Sequence, residues 1–387
     1  MKKLKFPKNF LWGAATSAHQ VEGGNIWNDW YLHEKAGRTR HLSGSATKHY
    51  QDYNKDFKLA RKLGHNAQRV SIEWSRIEKS RGYYDKKELD HYKKMLRSLK
   101  NNDQATFVTL HHFTNPAWFT KEGLWEKKEG AEIFANYAAA VVRELGDDID
   151  YLIILNEPLA PYATFGWLTG FWPPLKSELF TFLFVVGNLA RAHKLAYKYG
   201  KLVRPTLKIG VAYNGAPYLP HTPLDRPLKT IFEYLRNFWF LDKIKNQLDF
   251  IGLNYYFPAS GFNRGFNKTD MGWPIYPKGL YDFVMSVWKR YQKDIYITEN
   301  GLADKNDVQR IDFINDHLFW LHKSIQEGAK VKGYLHWSLT DNFEWTEGFN
   351  PRFGLVGIDY KTNKRKIRKS AKHFKKICEE NSLTLDK

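Results

Sequence analysis

Apolar and polar positions along the chain alternate between two periods. Eight short, nearly continuous apolar runs fall at 10–17, 66–72, 105–112, 151–158, 208–214, 249–256, 294–301 and 332–339. Between them lie longer stretches in which apolar residues recur every three to four positions, such as 85–102 (DKKELDHYKKMLRSLKNN) and 129–146 (EGAEIFANYAAAVVRELG). The short runs read as strands buried on both faces, as in a parallel sheet, and the longer stretches as amphipathic helices. A strand–helix unit repeated eight times predicts a closed (β/α)8 TIM barrel rather than an open doubly wound sheet. No linker or low-complexity block divides the chain, so residues 1–387 are read as one domain.

One junction in this pattern is abrupt. In 237–256, NFWFLDKIKNQLDFIGLNYY, the helical period gives way to the sixth strand with only Lys245 to Phe250 between them.

Composition narrows the picture. Hydrophobic residues make up 43% of the chain, enough for a large core, and its 14 Trp fit either dense packing or a ring-stacking cleft. The net charge of +19 brings nucleic acid and anionic membrane into consideration. Its densest basic run, 361–376, lies on a helical pattern and reads as a solvated face, with no nucleic-acid recognition motif beside it. No apolar stretch approaches transmembrane length, so no nucleic-acid or membrane partner is expected. Cys378 is the only cysteine, which excludes an internal disulfide framework. A soluble cytoplasmic protein is the plain reading.

In a barrel of this kind, polar residues at the C-terminal ends of the strands gather at one mouth. Here the strand endings are His111-His112, Asn156-Glu157, Asn254-Tyr255-Tyr256, Glu299-Asn300 and Trp337, with Gln20 and Glu22 after the first strand and Arg69 inside the second. A lone Glu after a strand is often a surface or capping residue. Glu157 and Glu299 close the fourth and seventh strands, each beside an Asn, and so can face one another across the mouth. Paired carboxyls suit acid–base work on a bond held between them. Adjacent strand residues point to opposite faces, so only one of His111 and His112 faces inward. Zinc-binding and serine-hydrolase motifs are absent, and neither metal nor cofactor is expected. Trp337 and Trp345 bracket Asp341, Asn342 and Glu344 in WSLTDNFEW, an aromatic face beside acceptors, as a pyranose requires.

In chain order FPKNFLWGAATSAHQVEG, RVSIEWSRI, TLHHFTNPAWF, LNEP, DFIGLNYY, YITENG and WSLTDNFEW resemble the signatures of glycoside hydrolase family 1, retaining β-glucosidases and β-galactosidases with this fold. The resemblance runs from residue 6 to about 374. It implies that Glu157 is the general acid/base and Glu299 the nucleophile. It places Gln20, His112, Asn156, Glu344 and Trp345 on the sugar hydroxyls, with Trp337 as the stacking floor. Arg69, Asn254 and Tyr256 match groups around the nucleophile. Glu344 and Trp345 stand where relatives acting on 6-phosphorylated glycosides carry a phosphate-binding pattern, which implies an unphosphorylated gluco-, galacto- or fucoside. The alternative is a sugar-binding barrel of weak turnover.

Two departures stand out. Phe113 occupies a position where the family most often has Trp, and the chain is several dozen residues short. One loss falls between the fifth helix and the sixth strand. Removing that wall is expected to uncover Phe232, Trp239, Phe240 and Phe250 on the side away from the sugar mouth, favouring dimerisation or capture of a hydrophobic ligand.

Overall fold

The computed structural model describes residues 2–220, 225–260, 262 and 264–385. Eight parallel strands form a closed barrel in sequence order: β1 Leu11–Ala15, β2 Ala67–Ser71, β3 Ala105–His111, β4 Tyr151–Asn156, β5 Lys208–Asn214, β6 Phe250–Asn254, β7 Asp294–Asn300 and β8 Val331–Trp337. All eight predicted runs are barrel strands, and β8 closes the barrel on β1 through Leu11–Ala15 beside Gly333–Trp337. The two quoted helical patterns form Lys86–Lys100 and Lys128–Leu145. Asp85 caps the first, accepting from the backbone N–H groups of Lys87 and Glu88.

The barrel is filled in layers. Ala67, Phe107, Ile153, Ala212, Phe250, Tyr296 and Leu335 pack together in its lower part. Phe107 lies 4.3 Å from the ring of Tyr151 and 5.2 Å from that of Tyr296. Above this plug the inward residues turn polar, with Arg69, Asn156 and Asn254 all fully buried. Strand register shifts at Ile153/Asn156, Leu253/Asn254 and Ile297/Asn300, the ends that carry Glu157, Asn254 and Glu299. Such irregularities re-aim side chains that strict alternation would point elsewhere.

The basic run is not one helix face. Lys364–Ile367 pairs antiparallel with Val356–Asp359, and the helix is Lys369–Glu380. Two of the cations reach buried carboxylates: Arg365 pairs with Asp56 at 2.9 Å and Arg368 with Asp341 at 2.8 Å. Cys378 is buried, and burial pushes its thiol well above the usual range.

The short junction before β6 differs from expectation. Phe240 and Phe250 are fully buried, Trp239 is partly buried, and the half-exposed Phe232 lies at the mouth rather than away from it. Phe250 is covered because its strand position faces the barrel interior. Asp249 explains how five residues can make the turn from helix to strand. Its backbone N–H donates to the Ile209 carbonyl, and its carboxylate accepts from the Ile209 N–H at 2.8 Å and the Tyr197 hydroxyl at 2.9 Å, with Lys201 beside it. The Asp249→Ala variant leaves the Ile209 N–H without its acceptor. It is expected to lose about 1–3 kcal/mol of unfolding free energy, read as a lower urea midpoint at unchanged slope. An unchanged midpoint would show that the junction is held by something else.

Candidate active site

At the C-terminal mouth lies a cavity of about 510 Å³ whose lining includes Gln20, His112, Glu157, Tyr256, Glu299, Trp337, Glu344 and Trp345. Eight of the eleven sequence-predicted site residues therefore meet on one surface. The other three, Arg69, Asn156 and Asn254, are fully buried beneath it.

Those three organise the rest. Arg69 donates to Glu299, to the Thr109 hydroxyl at 3.0 Å and to Asn156 Oδ1 at 2.7 Å. Asn254 Nδ2 donates to Asn156 Oδ1 at 3.1 Å and to Glu157 Oε1 at 2.7 Å. With two donors on its oxygen, Asn156 must direct its amide nitrogen at His112 Nε2, 3.2 Å away. Burial holds the His112 ring neutral, so its proton sits on Nδ1, a buried atom with no partner. His111 faces the other way, toward Asn115 at 3.0 Å and the rings of Trp125 and Tyr162, and packs between strand and helix.

The two carboxyls sit in unequal surroundings. Burial raises both, and the charge of Glu299 pushes Glu157 further, up to about 8. Glu299 is opposed in this by Arg69 and by the Tyr256 hydroxyl, 2.6 Å from its other oxygen. Glu157 accepts from two neutral amides, Asn254 and Asn214, and holds a left-handed backbone conformation (φ 46°) that costs a non-glycine residue about 1–3 kcal/mol. Proton affinity is therefore higher at Glu157.

Another wall of the cavity is built around the segment that follows β8. Gln20 Nε2 donates to Glu344 and to Asn342 Oδ1, each at 3.1 Å, while its own oxygen accepts from Ser17 at 2.7 Å. The Glu344 carboxyl is pushed up to about 8 by burial and by the charge of Glu299. Trp345 is fixed by the His19 ring stacked on it at 5.7 Å and by Trp30 at 4.5 Å. Phe113 lines the cavity and packs on Trp345 and Trp172 at 5.2 and 5.0 Å.

This arrangement has close counterparts. The model of glycosyl hydrolase family 1 matches residues 2–245 and 259–383. The chain belongs to glycosyl hydrolase family 1. It is 32% identical to β-glucosidase A of Thermotoga maritima, with 99% of this chain and all of the relative covered. That alignment spans 446 positions, more than this chain has residues, so the relative carries segments that are missing here. It is also 31% identical to a 6-phospho-β-galactosidase of Clostridium acetobutylicum, with 98% of each chain covered. Among solved structures, a β-glycosidase from Pyrococcus horikoshii superposes with a TM-score of 0.92 at 37% identity, covering 99% of this chain and 97% of that one. The T. maritima β-glucosidase in complex with deoxynojirimycin gives 0.94 at 31%, covering 98% and 100%. The chain is thus a glycoside hydrolase of a family of retaining glycosidases.

Sequence reasoning missed two members of this family 1 site. Asn214, which ends β5, donates to Glu157 at 3.1 Å, and Arg236 donates to Asn214 Oδ1 at 2.6 Å. The run KIGVAYN closes on an amide as LNE and LNYY do, so its ending carried the same signal. Arg236 announced itself only as a lone cation among the aromatics of EYLRNFWF. Its positive charge lowers the proton affinity of Glu157. Replacing Arg236 with Met is therefore expected to raise the Glu157 titration above its midpoint of about 8, followed by carbon-13 NMR of labelled glutamate. A midpoint that stays put or falls would show that Arg236 acts on something else.

Proposed function

We propose that this chain hydrolyses unphosphorylated β-glucosides, β-galactosides or β-fucosides from the chain end, with Glu299 as nucleophile and Glu157 as general acid and then base. The observation that carries the assignment is the asymmetry of the pair: Glu299 receives Arg69 and Tyr256, and Glu157 receives only amides. A carboxylate held by a cation and a phenol is available to attack the anomeric carbon. The neighbouring carboxyl, still protonated, donates to the glycosidic oxygen as the bond to the leaving alcohol breaks. Once Glu299 is esterified its charge is gone, so the proton affinity of Glu157 falls. Glu157 then takes a proton from water, whose oxygen attacks the anomeric carbon and releases Glu299 as carboxylate. Two inversions leave the configuration retained.

In this reading Trp337 is the floor for the sugar ring, while Gln20, His112, Glu344 and Trp345 take its hydroxyls. Asn156, placed among the sugar ligands from sequence, is better described as a positioning residue, since it is buried and bonded to Arg69, Asn254 and His112. Unphosphorylated substrates are favoured because Glu344 and Glu347 line the cavity with the two reacting carboxyls. Among its described lining residues the one Lys or Arg is Arg236, already engaged by Asn214. A phosphate dianion would find no free cation there.

The pH dependence follows from the required protonation states. Glu157 works protonated, so kcat/KM is expected to fall as pH rises through about 8. Glu299 works ionised, so the rate also falls on the acid side. Glu157→Gln should remove the alkaline limb and slow the hydrolysis of alkyl β-glucosides by roughly 10²–10⁴-fold, while Glu299→Gly should abolish turnover. Persistence of the limb in Glu157→Gln, or turnover in Glu299→Gly, would overturn the roles. A 6-phospho-β-glucoside should react at least about 100-fold more slowly than its unphosphorylated counterpart, since its dianion would lose hydration in a cavity that offers no free cation in return. Equal rates would move the chain into the phospho-glycosidase group.

A further inference from the structure

Exposed apolar surface lies at the mouth, and of the four residues that the short junction was expected to uncover only Phe232 belongs to it. The helix Leu179–Val203 follows β4, and the helix Arg226–Glu233 follows β5, so both begin at the end of the barrel where the cavity opens. They lead into adjacent parts of the outer ring, where Phe182 lies 6.3 Å from Trp239. Phe180 is 77% exposed, Phe184 69%, Leu228 60% and Ile231 59%. Two of its neighbours connect to the cavity. Phe171, 67% exposed, packs at 5.9 Å on the lining residue Phe165, and Phe232 both lines the cavity and faces solvent. Isolated apolar residues on a surface need no explanation, but several large ones on the two helices that begin beside a binding mouth do.

Charge is distributed to match. Residues 179–190 (LFTFLFVVGNLA) carry no charge, yet their outward face is exposed at Phe180, Leu183, Phe184 and Gly187. Continuing down the same face, Arg191, Lys194 and Lys198 are exposed, with Arg191 paired to Glu132 at 3.0 Å. The helix is thus apolar at the mouth end and basic below it. Twelve uncharged residues are too few to span a bilayer, which takes about 20, but they suffice for contact in its interface. The cations further along add to the positive potential that draws the chain toward an anionic surface.

We propose that the mouth rim of this barrel, centred on Phe180, Phe184, Leu228 and Ile231, docks on an anionic lipid bilayer, with the cavity opening toward the interface. The net charge of +19 selects this occupant over a second copy of the chain: it attracts an anionic surface and repels an identical one. The sequence alone set a membrane partner aside because no spanning segment is present. Interfacial docking requires none, and its signal lies in exposure rather than in hydropathy. Depth is set by the aromatic tips, which reach about 5–10 Å into the headgroup region in docking of this type. Glycosides carried on an apolar tail would then meet the cavity without leaving the interface. The docking itself does not depend on how the two carboxyls share their roles.

The test is co-sedimentation of the full chain with vesicles of phosphatidylcholine alone or mixed equally with phosphatidylglycerol. The native chain is expected to partition at least tenfold more onto the mixed vesicles, and less as salt rises. The triple variant Phe180→Ser, Phe184→Ser, Ile231→Ser should lose at least tenfold of that binding. Its circular dichroism and its hydrolysis of a small soluble aryl β-glucoside should stay within twofold of native, which separates loss of docking from loss of fold. Native chain left in the supernatant would overturn the proposal. So would equal sedimentation of the variant, which would assign binding to net charge alone. A native dimer that the substitutions dissociate, with no vesicle binding, would assign the rim to self-association instead.

Discussion

The ion pair between Arg69 and Glu299 is the constraint on which the mouth depends. Arg69 is fully buried inside the barrel, and a guanidinium there is tolerable only if nearly all its donors are used. It uses them on Thr109, Thr298, Asn156 and Glu299, from three different strands. Each bond then fixes something further out. Asn156 can turn only one way, which sets the His112 tautomer. Asn254 is held by Thr298 at 2.6 Å and passes its amide to Glu157. The apolar plug below, centred on Phe107 and Tyr296, keeps water from reaching the pair from beneath.

The same pair makes the two carboxyls different. Burial alone would raise both, and two such groups sharing one low-dielectric cavity cannot both ionise cheaply. Arg69 and Tyr256 decide which one does. The proposed division of labour therefore has its physical cause in what surrounds each glutamate, where the motifs LNEP and ITENG carried it only as a family resemblance.

Much of the fold was legible because its signal is periodic. Apolar runs such as ATFVTLHH and DIYITENG have the right length and composition for strands buried on both faces, and all became barrel strands within a residue or two of their expected ends. The mouth was legible because polar residues at strand ends have nowhere else to go. What escaped was set by tertiary geometry. Arg236 reaches Glu157 only through Asn214, across 22 residues of sequence. Phe250 looked exposable from the short junction, but its inward register position buries it. Arg365 and Arg368 looked like solvated helix charges, yet both reach buried carboxylates. The exposed rim escaped because apolar residues in a helical pattern read as core until the neighbouring element that would cover them is known to be absent.

The central claim is that the carboxylate held by Arg69 is the one that forms the covalent bond to the sugar. It is tested most directly by trapping with an activated 2-deoxy-2-fluoro-β-glucoside, followed by proteolysis and mass spectrometry of the labelled peptide. The expected result is one glycosyl group per chain, on Glu299, within the peptide that contains DIYITENG. A label on Glu157, or prompt inactivation with the label on neither glutamate, would contradict the account.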